Sequence, residues 1–188
     1  PEFKEFEALS GLNLRINHGE RWAIVGRNGA GKTTLLRLIT GNFAPTRGRL
    51  EVQGSVQALM SMGLGFNPEF SGLENIRASL AYNGLMGQAF RRAVDEVVEF
   101  VELGPFLEQP VRTYSLGMQA RLQFATATAV RPDILIVDEV LSAGDGYFAT
   151  KCAERMRRLT ESGCTLLLVS HSPQQVLQFC DHAAWLEG

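Results

Sequence analysis

Gly26-Arg27-Asn28-Gly29-Ala30-Gly31-Lys32-Thr33 is the stretch that decides the fold of this chain. It fits G-x-x-x-x-G-K-[ST], a phosphate-binding loop. Before it, Arg21 to Val25 reads as a short buried strand; after it, Thr34 to Thr40 reads as the start of a helix. The motif therefore has the strand-loop-helix setting that it needs. Glycines let backbone N–H groups turn inward around phosphates, and the helix N-terminus adds its positive dipole end. Lys32 would reach the outer phosphates as a point charge, and the Thr33 hydroxyl can ligate Mg2+. The dinucleotide pattern G-x-G-x-x-G fails here, because from Gly29 and Gly31 its third glycine falls at Thr34. That reading is excluded.

Composition sets the outer bounds. The 188 residues carry 18 Lys and Arg against 20 Asp and Glu, a net charge of −2 that offers no support for broad nucleic-acid binding. No apolar run approaches the roughly 18 residues of a membrane span, and no secretory signal is read. Cys152, Cys164 and Cys180 are odd in number, lack metal-ligand spacing and suit small apolar packing in a reducing cytosol. A first residue Pro1 and a last stretch of strand and turn, Trp185 to Gly188, lead us to expect part of a longer protein.

Outward from the loop, Leu12, Leu14 and Ile16 alternate with polar residues, the mark of a half-buried strand, and His18-Gly19-Glu20 turns into the loop strand. Gly41 is a natural helix C-cap; Arg49 to Gln53 and Ser55 to Met60 are short strand candidates. From Leu73 to about Leu103 the pattern is helical, with Phe90, Val94, Val97, Val98 and Val101 as one apolar stripe expected in the core. Ser115 is an N-cap for a helix running to Val130. Strands return at Ile134 to Val137 and Thr165 to Ser170, with a helix at Tyr147 to Glu161 between them, and Pro173 suits the first turn of a further helix. The expectation is an α/β fold: a phosphate-loop core of mostly parallel sheet with flanking helices. A helical subdomain is inserted at about 68–130, and an antiparallel β portion lies near the N-terminus.

A second cluster of chemistry follows from the apolar run Ile134 to Val137, which ends in Asp138-Glu139. Such a run is a central parallel strand with a site at its carboxyl end. A carboxylate there, on a strand beside the phosphate loop, can hold Mg2+, and the second carboxylate can polarise an attacking water as general base. His171 ends the next buried strand and would be aimed at the γ-phosphate. His18 and His182 lack that setting and are given no role.

Together these residues resemble the ATP-binding subunit of an ABC (ATP-binding cassette) transporter, over essentially the whole chain. The resemblance implies that Gly26, Arg27, Asn28, Gly29, Ala30, Gly31, Lys32, Thr33 and Thr34 form the Walker A region around ATP. It implies that Ile134 to Glu139 is the Walker B strand, with Thr33 and Asp138 on Mg2+ and Glu139 as the catalytic carboxylate. Ser142 to Asp145 matches the D-loop, and His171 the switch histidine. Tyr114-Ser115-Leu116-Gly117-Met118 occupies the family's L-S-G-G-Q signature, so Ser115, Gly117 and Met118 would meet ATP held by a second copy of the chain in a head-to-tail dimer. Leu116 and Met118 depart from that signature, and no glutamine stands near Met62 or Gly63, where the family's Q-loop residue would fall; Gln57 is too early. The aromatic under adenine is assigned to Phe6, with Phe3 the competing choice.

The departures fall into patterns. Y-S-x-G-M at 114–118, G-x-G-F-x-P-E-F-x-G-x-E-N-I from Gly63 to Ile76, and D-E-x-L-x-x-G-D from Asp138 to Asp145 resemble the polysaccharide-exporter branch. That branch exports O-antigen, teichoic acid and capsule. It implies an ATPase peripheral to the cytoplasmic face of the inner membrane, a separate integral membrane permease contacted through about Gly63 to Asn83, and aromatic anchors at Phe66 and Phe70. The alternatives are a transporter ATPase for another substrate and a non-transport ABC ATPase. A small-molecule kinase would leave the signature helix, D-loop and terminal histidine unexplained.

Overall fold

In a computed structural model, residues 7–59, 66–138 and 146–187 are described. Among them five strands form one parallel sheet in the order β2-β3-β4-β1-β5. In chain order the elements are β1 (Arg21–Gly26), α1 (Lys32–Ile39), β2 (Val56–Leu59), α2 (Gly72–Tyr82), α3 (Gly87–Val101), α4 (Leu116–Thr128), β3 (Ile134–Asp138), α5 (Gly146–Glu161), β4 (Thr165–Val169), α6 (Pro173–Phe179) and β5 (His182–Leu186).

Apart from Thr165 at the start of β4 and Asp138 at the end of β3, strands β3 and β4 are apolar because helices cover both faces of the sheet. Leu135, Val137, Leu166 and Leu168 pack with Phe124 of α4, Phe148, Cys152 and Met156 of α5, and Phe179 of α6. The alternate residues Ile136, Leu167 and Val169 face the other way, onto Leu35 and Leu36 of α1. All three cysteines are free; Cys152 and Cys164 are buried in the first cluster and Cys180 packs at its edge, as apolar side chains do.

The expected helical run from Leu73 to Leu103 is two helices. Gly84, at φ 80°, takes the left-handed turn, and the amides of Gly84 and Leu85 return to the carbonyls of Ala81 and Leu80. This double bond pattern is a Schellman stop, which the apolar periodicity on either side does not reveal. The stripe itself is core: Val94, Val97 and Val101 are buried against Ile76 and Leu80 of α2 and Leu122 of α4, with Phe90 and Val98 half-buried beside them.

The antiparallel portion near the N-terminus is not present among the described residues. Leu14 and Ile16 do turn toward the α1-side core, yet residues 12–16 pair with no strand, and neither do residues 49–53. An isolated two-stranded ribbon is marginal in water, so alternation without a ladder partner does not make a strand. The Ser55 to Met60 candidate instead corresponds to β2 at Val56–Leu59, which joins the parallel sheet beside β3.

Candidate functional site

At the carboxyl edge of the sheet, β1 ends at Gly26 and its chain folds straight into α1 at Lys32. The loop geometry demands glycine twice. A Cβ on Gly26 would stand 2.5 Å from the Leu186 carbonyl oxygen, and one on Gly31, at φ 90°, would stand 2.6 Å from both the Ala8 carbonyl oxygen and Leu9 Cδ2. Gly31 caps α1 without a side-chain acceptor, so the first-turn amides of the helix keep their pull on an anion. Lys32 folds back across the loop and donates from Nζ to the carbonyls of Gly26 at 2.8 Å and Arg27 at 3.0 Å. Arg27, Asn28, Gly29 and Thr33 are exposed, Ala30 is buried, and Thr34 is half-buried.

Asp138 is not on the strand beside the phosphate loop. β4 lies between β3 and β1, and Ile24, Val169 and Asp138 share one row across the three strands. Two strand spacings put β3 about 10 Å from β1. Asp138, only 8% exposed, shares the α1-side face with Ile136 by the two-residue period of the strand. Sequence neighbours cannot report strand order, hence the difference. His171 does follow the strand next to Asp138's, as expected. It is framed by two serines: Ser170 Oγ donates to Gln175 Oε1 at 2.7 Å and accepts from the Ser172 amide, while Ser172 caps α6. Phe6, Glu139 and Asp145 lie outside the described residues, as do Met62 and Gly63.

Ser115, Gly117 and Met118 come together elsewhere, at the head of α4. Ser115 caps the helix, its Oγ accepting from the Met118 amide at 3.2 Å. The three line a cleft of 510 Å³ together with residues 102–106 and Arg121. Leu116, which replaces a glycine of the signature, is 82% exposed. Glu102 was not singled out from the sequence. It ends α3 at φ 53°, a conformation unusual outside glycine, and accepts hydrogen bonds from Lys151 Nζ at 2.7 Å and Tyr147 Oη at 3.3 Å. The Lys151 bond holds the Glu102 carboxyl below its usual range. Its one sequence signal is position: it precedes the Gly104-Pro105 break.

A second cleft of 600 Å³ runs between β2, the end of α1, α2 and α4, and includes Phe66, Ser79, Tyr82, Asn83 and Gln123. Phe70 lies nearby in sequence and is 44% exposed. Among the described residues no helix is long and apolar enough to cross a membrane.

A parallel sheet flanked by helices, with a phosphate loop and an acid-ended strand at one edge, defines a phosphate-loop nucleotide-binding fold. The chain belongs to the ABC transporter family, whose pattern matches residues 9–142. It is 48% identical over 181 residues to the O-antigen export system ATP-binding protein RfbB of Myxococcus xanthus, covering 96% of this chain and 41% of that protein. It is 41% identical over 179 residues to the teichoic acids export ATP-binding protein TagH of Bacillus cereus, covering 95% of this chain and 32% of that protein. The chain thus spans less than half the length of these two relatives. In three dimensions it is similar to a dimeric ATP-binding cassette in a post-hydrolysis state bound to ADP and Pi, with a TM-score of 0.83, 25% identity, and coverage of 98% of this chain and 90% of that one.

Proposed function

We propose that this chain is the ATP-hydrolysing part of an exporter of lipid-linked cell-surface polysaccharide, of the O-antigen, teichoic acid or capsule type. It would work at the cytoplasmic face of the inner membrane with a separate integral membrane permease. The observation that carries the chemistry is the single row Ile24–Val169–Asp138, which puts the phosphate loop, Asp138 and His171 at one edge of the sheet. The substrate branch is supported by the likeness to RfbB and TagH.

ATP would enter with its phosphates inside the Gly26–Thr34 loop, and Lys32 would exchange the two loop carbonyls for phosphate oxygens. The donor set fits Mg2+, which takes few protein oxygens and keeps water and phosphate for the rest: Thr33 and Asp138 would hold it. When bound, it would neutralise charge on the phosphate oxygens. Glu139 would take a proton from the attacking water, and His171, held between Ser170 and Ser172, would donate to the γ-phosphate. Ser115 and the Gly117 and Met118 amides would grip the γ-phosphate of ATP on a second copy, closing a homodimer around two nucleotides. The cleft containing Phe66 and Tyr82, with Phe70 near it, would receive the permease.

The test is phosphate release by the full-length protein. Lys32→Ala is expected to abolish tight ATP binding. Glu139→Gln is expected to keep binding and lose roughly a hundredfold or more in turnover, the usual scale of a lost general base. Near-normal hydrolysis by Glu139→Gln would remove it from that role. Affinity capture from solubilised membranes should recover an integral membrane partner; recovery of none would favour a non-transport ATPase.

A further inference from the structure

The described part of the first branch pattern, residues 66–76, meets the second, Tyr114 to Met118, in space. Asn75, 2% exposed, donates from Nδ2 to the carbonyls of Asn67, Phe70 and Ser71 at 2.9, 3.2 and 3.0 Å. Its Oδ1 accepts from the Asn67 amide at 2.7 Å. One side chain therefore satisfies the inner face of the 67–71 loop, and Ser71 with Glu74 closes the loop into α2 by a reciprocal capping box.

That loop is then stitched to the segment leading into the signature. The Val111 amide donates to the Phe70 carbonyl and the Arg112 amide to the Pro68 carbonyl, each at 2.9 Å, and Ser71 bridges Pro110. Tyr114 completes the seam. It is 6% exposed, and its hydroxyl donates to the Phe106 carbonyl at 2.6 Å. Phe106 and Ser115, the residue after Tyr114, both line the signature cleft. Gly72 leaves the space for this phenol, since a Cβ there would stand 2.3 Å from the hydroxyl.

We propose that Tyr114 is a positioning residue for the signature cleft, fixing Phe106 relative to Ser115 in its lining and tying both to the 67–71 loop through Gly72. This rests on the reading of Ser115 and Gly117 as the grip on a partner's ATP. The 67–71 loop and the signature then move as one body, so a push on the exposed Phe70 surface reaches Ser115 without an intervening hinge. Gly72 and Tyr114 act as a matched pair, which explains why the two patterns stand in one chain.

The experiment measures phosphate release and ATP binding by the full-length protein. Tyr114→Phe should lower kcat roughly three- to tenfold, the scale of one buried hydrogen bond. It should leave the affinity of the chain's own phosphate loop for ATP within about twofold, a kcat-against-binding split that loss of folding does not produce. Gly72→Ala should lose at least about tenfold in kcat through the 2.3 Å clash, and Gly72→Ala with Tyr114→Phe should recover most of that loss. The double variant stays short of Tyr114→Phe alone because Leu107 Cδ2 and Tyr114 Cζ still stand 3.1 and 3.3 Å from the added Cβ. An unchanged kcat in Tyr114→Phe, or a soluble double variant no better than Gly72→Ala, overturns the proposal; if Gly72→Ala is insoluble, Tyr114→Phe decides alone. Ser115→Arg is the control: if it hydrolyses normally the signature reading fails and takes the proposal with it. If it is inactive while Tyr114→Phe is normal, the positioning role alone is refuted.

Discussion

Arg155→Ala should loosen the joint between α5 and α3 more than a count of ion pairs would imply. The Arg155 side chain is 16% exposed and bonds Glu96 at 2.7 Å, while Glu96 remains 53% exposed. Its guanidinium also lies 3.9 Å from the centroid of Phe100. Burial pushes its pKa down and Glu96 draws it back up, and Nη1 is buried with no hydrogen-bond partner among the described residues. The half-exposed ion pair contributes about 1 kcal/mol, nearer the surface value than the buried one. The cation–π contact adds about 1–2 kcal/mol, and the packed stem about 1 kcal/mol. Relief of the unsatisfied Nη1 returns about 1 kcal/mol. The net expected loss is about 2–3 kcal/mol, read from equilibrium urea unfolding. Arg155→Met keeps the stem, removes the buried charge and should stay within about 1 kcal/mol of wild type. A loss below about 0.5 kcal/mol for Arg155→Ala, the range of an ordinary surface change, would refute the reasoning.

The Glu20 carboxylate accepts from the Asn17 amide, Asn17 Nδ2 and Trp22 Nε1, and these bonds lower its pKa from 4.5 to about 2. A depressed carboxylate contributes stability above its unfolded pKa and loses it as pH falls through the folded one. Glu20→Gln should therefore flatten the fall in melting temperature between pH 4.5 and about 2, and an identical acid limb in the variant would count against it. Gly84→Ala forces a Cβ onto a φ of 80° in open space, so it should cost about 1–2 kcal/mol from backbone strain alone, measured by urea unfolding. Burial pushes the Cys152 and Cys180 thiols up to about 12 and raises Cys164 as well, so a maleimide at neutral pH should label native protein slowly and all three sites after denaturation. Rapid labelling of Cys152 in the native state would contradict its burial.

Much of the candidate site was legible because its residues are neighbours in the chain. The loop from Gly26 to Thr34 carries its turn glycines, its lysine and its helix start within a few residues, and Ser115 with the Met118 amide is likewise local. The runs Ile134 to Val137 and Thr165 to Ser170 announced buried strands, and both supply strands paired in the parallel sheet. Misreadings occurred where a local pattern lacked a decisive partner. Leu12 to Ile16 alternates as a strand would but finds no ladder among the described residues, and the 73–103 periodicity passes over the stop at Gly84. Glu102 escaped notice because its partners, Tyr147 and Lys151, lie far along the chain.

Sequence alone determined the phosphate loop, the acid-ended strand, the helix caps and the core stripe, since turn chemistry and periodicity belong to adjacent residues. Only the tertiary structure decided that β4 separates β1 from β3, that Lys151 meets Glu102 and that the Tyr114 hydroxyl fills the space above Gly72. Strand order and side-chain contact across long loops arise from how buried faces pack together, and no short window of residues contains both sides of such a contact.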